Sequence, residues 1–403
     1  QKRNQRTMDK PQHVLDNVID RAAEITWWNR QMTRLADIDG VRNGPEFVRN
    51  EIIERKGPYV EFVQAPKFHN ESAKSFLEGL DYDPAIIETV QDKLFNGSGS
   101  FYQHQADTME AIARNSSDNI LAVPTATGKT EAFFFPILNH CLQTEERGLK
   151  AIVIYPMKTL GVDQLNRFIS YLDSINRYRD PGERITIGIW DSDTPQRMGT
   201  RDFEIEEGSY VRGLASPRNP EEKLRVLSSM TVGTDSHSYS WVRVTRESIR
   251  KGVDILLTGP EALDHMFVSD NKETRGILGH DPNEHPVKHI VFDEAHVWSG
   301  IQGAAISLLA QRLKQFYNKR NPQVTMVSAT VDNPTELASS LTGTPESEIN
   351  TIGFSPRQFD IKSAPEFDRF LPCNVEEIAL TLAIAHTDNF TKSEAEERFE
   401  LGG

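Results

Sequence analysis

The chain has 403 residues and a mass of 45.6 kDa, enough for two or three domains of ordinary size. Hydrophobic residues make up 37% and charged residues 26%, which is the composition of a globular chain rather than a disordered one. The net charge of −14 excludes a basic coat over the whole surface, although a local basic stripe can still bind nucleic acid.

Cysteine content and hydropathy limit the class and location of the protein further. Cys141 and Cys373 are its 2 cysteines, which excludes a disulfide framework and a multi-cysteine zinc or iron–sulfur site within this chain. No stretch approaches the roughly 18 consecutive apolar residues of a membrane span, and no apolar run follows the basic N-terminus. We therefore expect a cytoplasmic protein without membrane contact.

Residues 1–98 are predicted to form a mainly helical region. Between residues 13 and 28, apolar side chains recur every three to four positions, as in an amphipathic helix. The segment 96–100 (NGSGS) is typical of a flexible joint. The sequence therefore predicts a domain boundary at about residue 98.

From residue 101 onward, short apolar runs alternate with helical patterns. The runs are rich in β-branched residues and nearly continuous, which is typical of strands buried on both faces. They cover 119–123, 151–155, 185–190, 254–258, 289–292 and 324–327. Repeated strand–helix units predict an α/β domain over 99–345 with a doubly wound parallel sheet. The polar stretch 192–250, rich in Gly, Ser and Pro, is predicted to be an insertion on this sheet.

The segment 124–130 (PTATGKT) follows the first predicted strand and precedes a helix. A helix N-terminus presents unpaired amides and the positive end of its dipole to phosphate. Gly128 lets the backbone approach closely, Lys129 can reach the β- and γ-phosphates, and Thr130 can place its hydroxyl on Mg²⁺. This context predicts a nucleotide site.

An acidic pair, Asp293 and Glu294, follows the predicted strand 289–292. An Asp at such a strand end can hold Mg²⁺ through its waters, and the next carboxylate can orient an attacking water. Taken alone, the pair is better explained as an exposed acidic strand end. The segment 328–330 (SAT) ends the next predicted strand, so three motifs follow one another, each at a strand end.

In this order the motifs resemble those of superfamily 2 helicases, whose first RecA-like domain carries them. The finer match is to the DEAH-bearing Hrq1-type helicases, relatives of the RecQ4-like and DUF1998-associated DNA helicases, a group that includes helicase subunits of anti-phage systems such as DISARM. Eight segments carry the resemblance: 101–105 (FYQHQ), 126–133 (ATGKTEAF), 155–164 (YPMKTLGVDQ), 191–195 (DSDTP), 258–263 (TGPEAL), 294–300 (EAHVWSG), 328–334 (SATVDNP) and 353–357 (GFSPR).

The resemblance implies roles for individual residues around ATP. The implied ATP-binding residues are Gln105, which would select adenine, with Thr127, Gly128, Lys129 and Thr130. Thr130 and Asp293 would hold Mg²⁺, and Lys129, Asp293 and Glu294 would be catalytic. Residues that end adjacent strands would couple the ATP site to the nucleic-acid face. These are His296, Ser328 and Thr330.

A second implied set contacts the sugar–phosphate backbone of a nucleic-acid strand, holding the strand without reading its bases. It consists of Pro156, Lys158, Thr159, Thr258 and Gly259. The family usually has Asn where Lys158 and Gly259 stand. Aromatic and basic residues also interleave in the insertion, from Tyr239 to Lys251, as in a strand-separating wedge or a base-stacking platform. Acidic residues of the same insertion nearly balance this charge, which favours a solvated or partner-docking surface.

The resemblance implies the N-terminal motor half of an ATP-dependent DNA helicase or translocase, in repair or anti-phage defence, with DNA and further protein subunits as partners. Residues 346–403 show no motif of a second RecA-like domain, so we expect a transition segment leading to such a domain. Since that domain supplies an arginine to the γ-phosphate, we expect this chain alone to bind ATP but hydrolyse it poorly. The alternatives are a nucleotide-gated DNA-binding or scaffold subunit of a defence complex, a translocase arm that moves on duplex DNA without separating strands, and an RNA helicase, which the resemblance favours less.

Overall fold

The strands of this protein are short and mostly buried. A computed structural model describes residues 67–95, 97–124, 127–298, 300–329, 331 and 333–353, which lie in one of the chain's two units, Pro66–Gln358. Within these residues the strands are β1 (Asp118–Ala122), β2 (Ala151–Ile154), β3 (Ile187–Trp190), β4 (Tyr210–Ala215), β5 (Lys223–Ser228), β6 (Thr231–Gly233), β7 (Ser238–Tyr239), β8 (Val242–Arg243), β9 (Ile255–Thr258), β10 (His289–Phe292), β11 (Gln323–Ser328) and β12 (Ile349–Gly353).

Helices connect most of the strands. In the same residues they are α1 (Ala73–Gly79), α2 (Pro84–Lys93), α3 (Gln103–Arg114), α4 (Lys129–Gln143), α5 (Lys158–Asn176), α6 (Arg246–Arg250), α7 (Pro260–Val268), α8 (Lys272–Arg275), α9 (Gly300–Phe316) and α10 (Pro334–Thr342). None of them is long and apolar enough to cross a membrane.

The main sheet has eight strands in the order β12-β1-β11-β10-β2-β9-β3-β8, and each neighbouring pair is parallel. All six predicted strand runs lie in it, so the predicted doubly wound α/β fold is confirmed. Successive strand residues point to opposite faces. Val153 packs in the core beneath α1 to α5, whereas Ile152 and Ile154 pack in the core beneath α7, α9 and α10.

Helices α4 and α5 pack against each other on the first face of the sheet. The rings of Phe134 and Phe168 stack with centroids 3.6 Å apart, and both side chains are fully buried. Burial of each ring contributes about 2 kcal/mol. This packing fixes the start of α5 relative to α4, and both helices begin at a predicted functional motif.

The insertion carries a separate antiparallel sheet in the order β4-β5-β6-β7. Its apolar residues Leu214, Leu224, Val226 and Tyr239 join the core beneath α5. The chain then returns to the main sheet as β8, followed by α6, so the last part of the predicted segment 192–250 belongs to the main α/β layers.

The sheet also extends past the predicted boundary at residue 345, because β12 pairs with β1 from Asp118↔Ile349 to Ala122↔Gly353. At the other end, α1 and α2 lie within the region predicted to be helical. Residues 1–66 of that region, the joint residue Asn96 and residues 354–403 of the predicted transition segment lie outside the described residues.

Candidate active site

Apart from Gln105 on α3, the residues predicted to act on ATP follow the carboxyl ends of two strands, β1 and β10. β1 leads to Gly128 and Lys129, β10 leads to Asp293 and Glu294, and β11 lies between β1 and β10 in the sheet. In a parallel sheet, ligands bind at this edge, where the strands release their connecting loops. The fold therefore brings together motifs that are far apart in the sequence.

The start of α4 requires glycine. Gly128 has a φ of 74°, in the left-handed region, and a Cβ at this position would lie 2.3 Å from Gln105 Nε2. Lys129 follows at the first helical position with its side chain buried. Its Nζ lies 4.0 Å from Glu294 Oε2, and neither atom has a hydrogen-bond partner. Lys129 and Glu294 thus form a long ion pair without a hydrogen bond, in which the lysine is buried and the Glu294 side chain is 23% exposed.

Asp293 is held in an unfavourable environment for a carboxylate. Burial and the neighbouring charge of Glu294 raise the pKa of Asp293 to about 6, although the Glu294 amide, at 2.9 Å from Oδ1, and Lys129 oppose this. Glu294 itself adopts a left-handed backbone conformation with φ 51°, which is uncommon for a residue other than glycine. A bound cation would relieve the cost of the buried Asp293 charge.

Two side chains of α3 contact the backbone of the phosphate-binding loop, at Thr127 and Gly128. Gln105 Nε2 donates to the Gly128 carbonyl at 2.9 Å, while Gln105 Oε1 accepts from the Tyr102 amide at 3.0 Å. His104 Nε2 lies 2.9 Å from the Thr127 carbonyl. Since a carbonyl oxygen can only accept, His104 donates through Nε2, and burial lowers the pKa of the ring. The selection of adenine by Gln105 stays a prediction.

A buried ionic cluster next to Thr130 was not predicted from the sequence. Glu131 is almost completely buried, and its Oε1 accepts from Tyr171 OH at 2.7 Å and from Arg167 Nη2 at 2.5 Å. Arg167 Nη1 also lies 3.4 Å from Thr130 Oγ1. α5 thereby contacts the first turn of α4. In the sequence, this cluster was indicated only by Glu131, an acidic residue next to the apolar stretch of α4.

The residues expected to couple the ATP site to the nucleic-acid face lie at the ends of β10 and β11. His296 Nδ1 lies 3.3 Å from Glu294 Oε2 and 3.3 Å from the Ala329 amide, which donates to it. Ser328 is fully buried, and its hydroxyl has no hydrogen-bond partner. Thr330 lies outside the described residues. The contacts place His296 between the acidic pair and β11, and the coupling role stays a prediction.

The residues predicted to contact a nucleic-acid strand line one cleft. Its volume is about 730 Å³, and it opens at the carboxyl ends of β2, β9 and β3. Pro156, Lys158, Thr159, Thr258 and Gly259 all lie on its wall. Thr258 is buried there, and its hydroxyl donates to the Trp190 carbonyl at 2.8 Å. The structure thus brings the five predicted residues together.

Two helices begin at this cleft without side-chain caps. α5 starts at Lys158 after Met157, and α7 starts at Pro260 after Gly259. The first amides of each helix therefore have no intrahelical acceptor and no capping side chain. Such amides bind phosphate, and the dipoles of the two helices add to the attraction.

The aromatic residues near the end of the insertion do not form a stacking platform. Tyr239 and Trp241 are 2% and 3% exposed and pack in the hydrophobic core. Arg246 and Arg250 lie over the ring of Trp190, at 5.2 and 5.3 Å from its centroid. Of the two interpretations that the sequence left open, base stacking by these aromatic residues is therefore wrong.

Thr130 and Asp293 are the residues suited to Mg²⁺. In the described part of the chain, no group of three or more His, Cys, Asp or Glu side chains is arranged to hold a metal ion. Mg²⁺ commonly uses one or two protein ligands together with phosphate oxygens and water. The buried carboxylate of Asp293, which unlike that of Glu131 has no arginine partner among the described residues, fits an ion that arrives with a nucleotide.

A parallel α/β sheet with a lysine-bearing phosphate loop and an acidic pair at its carboxyl edge defines a nucleotide-binding domain of the P-loop class. The family model described as "DEAD/DEAH box helicase" matches residues 102–187 and 218–337. The chain therefore belongs to the DEAD/DEAH box helicase family, which confirms the predicted resemblance.

Individual relatives are distant in sequence. The chain is 24% identical over 260 residues to the uncharacterized ATP-dependent helicase YprA of Bacillus subtilis, covering 64% of this chain and 26% of YprA. It is 20% identical over 314 residues to the ATP-dependent helicase HRQ1 of Saccharomyces cerevisiae, covering 74% of this chain and 23% of HRQ1. A solved structure of the DUF1998 helicase MrfA bound to DNA and AMPPNP is 20% identical, with a TM-score of 0.48, and the match covers 73% and 31% of the two chains. This chain thus spans about a quarter of the length of these two curated relatives.

Proposed function

We propose that this chain is the N-terminal motor half of an ATP-dependent DNA helicase or translocase, which couples the binding and hydrolysis of Mg-ATP to movement on DNA. The ATP part rests on Lys129 Nζ and Glu294 Oε2, which lie 4.0 Å apart beside the first turn of α4 and have no hydrogen-bond partner within the described ranges. The family supports hydrolysis, and the curated relatives named above are ATP-dependent helicases.

In this proposal the ATP phosphates occupy the N-terminus of α4. The Lys129 ammonium donates to the phosphate oxygens and stabilises the negative charge that develops as the bond to the γ-phosphorus breaks. Thr130 and Asp293 would hold Mg²⁺, which neutralises phosphate charge when it is bound.

Glu294 would orient the attacking water. Its Oε2 has no hydrogen-bond partner, so it is free to accept a hydrogen bond from a water placed against the γ-phosphate. His296 and the Ala329 amide lie within 3.3 Å of one another beside this carboxylate, so a change in the γ-phosphate region reaches the end of β11. Attack of the water on phosphorus releases ADP and inorganic phosphate.

The DNA strand would run along the cleft of about 730 Å³. The uncapped amides of α5 and α7 donate to its phosphates, and Lys158 adds a positive charge. Contacts of this kind hold a strand irrespective of its base sequence. The choice of DNA over RNA rests on the resemblance to Hrq1-type DNA helicases.

The cellular setting is proposed on the same basis. A role in DNA repair or anti-phage defence, together with further protein subunits, follows from the resemblance to helicases of those systems. A cytoplasmic location follows from the low cysteine count of the sequence.

Steady-state ATP turnover tests the proposal, measured with and without single-stranded DNA beside Lys129→Ala. DNA-stimulated turnover that is lost in the variant supports a motor. If the chain binds ATP and DNA but no condition gives turnover, even after addition of a second RecA-like domain, the motor proposal fails and the nucleotide-gated scaffold replaces it.

A further inference from the structure

A cluster of three charged side chains lies beside the cleft, where α5 begins. The Asp193 carboxylate is 2.7 Å from Lys158 Nζ and 3.1 Å from Arg212 Nη1. Asp193 follows β3, Lys158 begins α5, and Arg212 lies on β4 of the insertion, so three separate elements meet at this point. Arg212 is 86% exposed and the other two side chains are about half exposed, so a ligand can reach all three from solvent.

A second cleft, of about 400 Å³, lies over this cluster. Its wall includes Lys158, Thr159 and Asp191, which also line the first cleft. The opposite side is formed by residues 210–214 of β4. The two clefts therefore share part of their lining, and the insertion provides one wall of the second cleft.

Strand β4 is held in a fixed position on α5. The Asn166 side chain donates to the Gly213 carbonyl at 2.6 Å and accepts from the Ala215 amide at 2.9 Å. Arg218, which follows β4, makes two hydrogen bonds, of 2.9 and 3.0 Å, to the buried carboxylate of Asp173 further along α5. The wall is thus preorganised beside the start of α5, which lowers the cost of binding a ligand there.

The charge of the cluster suits a phosphate. Lys158 and Arg212 share the Asp193 carboxylate, so these three side chains together carry one net positive charge, whereas Asp163 and Asp191 bring the whole lining of the second cleft to one net negative charge. Arginine and lysine bind phosphate oxygens through charge-assisted hydrogen bonds. Tyr210 lies two residues before Arg212 and is 65% exposed, which provides a ring for a sugar or base.

The remaining carboxylates of the second cleft are those of Asp163 and Asp191. Asp191 is engaged in its own turn, where Oδ1 accepts from the Asp193 amide at 2.8 Å. It therefore stabilises the turn that carries Asp193.

We propose that Lys158 and Arg212 form a phosphate-binding extension of the DNA path onto the insertion. In the bound state, a backbone phosphate of the strand takes the place of the Asp193 carboxylate between the two cations. The extension rests on the proposed function, since the first cleft must already hold DNA for the strand to reach this point.

The test is the salt dependence of binding between the 403-residue chain and a fluorescein-labelled oligodeoxythymidylate, measured by anisotropy over a series of KCl concentrations. Each phosphate contact on a single strand contributes about 0.7 to the slope of log affinity against log salt. We expect Arg212→Gln to lower the slope by about 0.7 and Arg212→Lys to keep it. Asp193→Asn should bind more tightly at low salt, because it frees both cations.

Arg147→Gln is the matched control, because Arg147 is exposed in the segment before β2, at the opposite edge of the sheet. If Arg212→Gln keeps the wild-type slope, or Arg147→Gln lowers it equally, the extension is wrong while the first cleft stands. Weaker binding by Asp193→Asn also contradicts it. If the wild-type chain binds no oligonucleotide, the proposed function and the extension fail together.

Discussion

Individual residues of the candidate site hold charges that are unfavourable for the stability of the nucleotide-free protein. Asp293 and Glu294 lie side by side, and Lys129 faces them without a hydrogen bond. Active sites commonly hold such groups because the ligand, rather than the protein, completes their pairing. The cost of this arrangement is measurable in the protein without nucleotide.

Asp293→Asn is expected to stabilise the nucleotide-free protein. Because burial raises the pKa of Asp293 from 3.8 to about 6, the folded state binds a proton more tightly than the unfolded state, and stability falls as pH rises between these values. The gain in free energy of unfolding should be about 3 kcal/mol at pH 7.5 and about half of that at pH 5. Urea unfolding of both proteins at the two pH values measures it, and a gain that grows toward low pH would contradict the sign.

Glu294→Gln is expected to separate binding from hydrolysis. Glutamine keeps the shape of the side chain but cannot accept a proton, so the rate should fall by about 10² to 10⁴ while ATP affinity is retained. Single-turnover hydrolysis detects this change even when the rate is low. Glu273→Gln, an exposed residue of α8, provides the control. A Glu294→Gln rate equal to that of the wild type would remove Glu294 from the water-orienting role.

At the scale of the element, α5 is the component that joins the two functional regions. It begins in the cleft at Lys158, contacts the first turn of α4 through Arg167, and carries the insertion on Asn166 and Asp173. One way to test the role of the insertion would be to delete residues 200–240. That deletion would also remove Leu214, Leu224 and Val226 from the hydrophobic core. Point variants on α5 and β4 separate binding from folding better than this deletion.

Arg167→Met is expected to destabilise the fold. It leaves the buried carboxylate of Glu131 with Tyr171 but without its guanidinium, at a cost of about 2 kcal/mol. Arg177→Met, at the residue that follows the last residue of α5, is the matched control, because its partner Asp173 keeps both hydrogen bonds from Arg218. That variant should lose less than about 1 kcal/mol. If urea unfolding shows that both variants lose the same free energy of unfolding, the ion pair of Arg167 with Glu131 stabilises the fold no more than that of Arg177 with Asp173.

At the scale of the whole molecule, the sequence predicts the sheet well because each buried strand is a short apolar run, and a parallel sheet collects the residues that follow those runs at one edge. It does not predict that β12 pairs with β1 or that β8 pairs with β3, since such pairings depend on tertiary packing. Pairing of Arg167 with Glu131 and of Arg212 with Asp193 is likewise set by how α4, α5 and β4 pack, and no local pattern encodes it.

In the proposed function, Lys129 holds the phosphates of ATP at the start of α4. We would test this claim by equilibrium binding of ATP to the wild-type chain and to Lys129→Ala. A charge-assisted hydrogen bond contributes about 1.5–3 kcal/mol, so the variant should bind ATP at least about tenfold more weakly. Equal affinity in the two proteins, or a wild-type chain that binds no ATP, would contradict the claim.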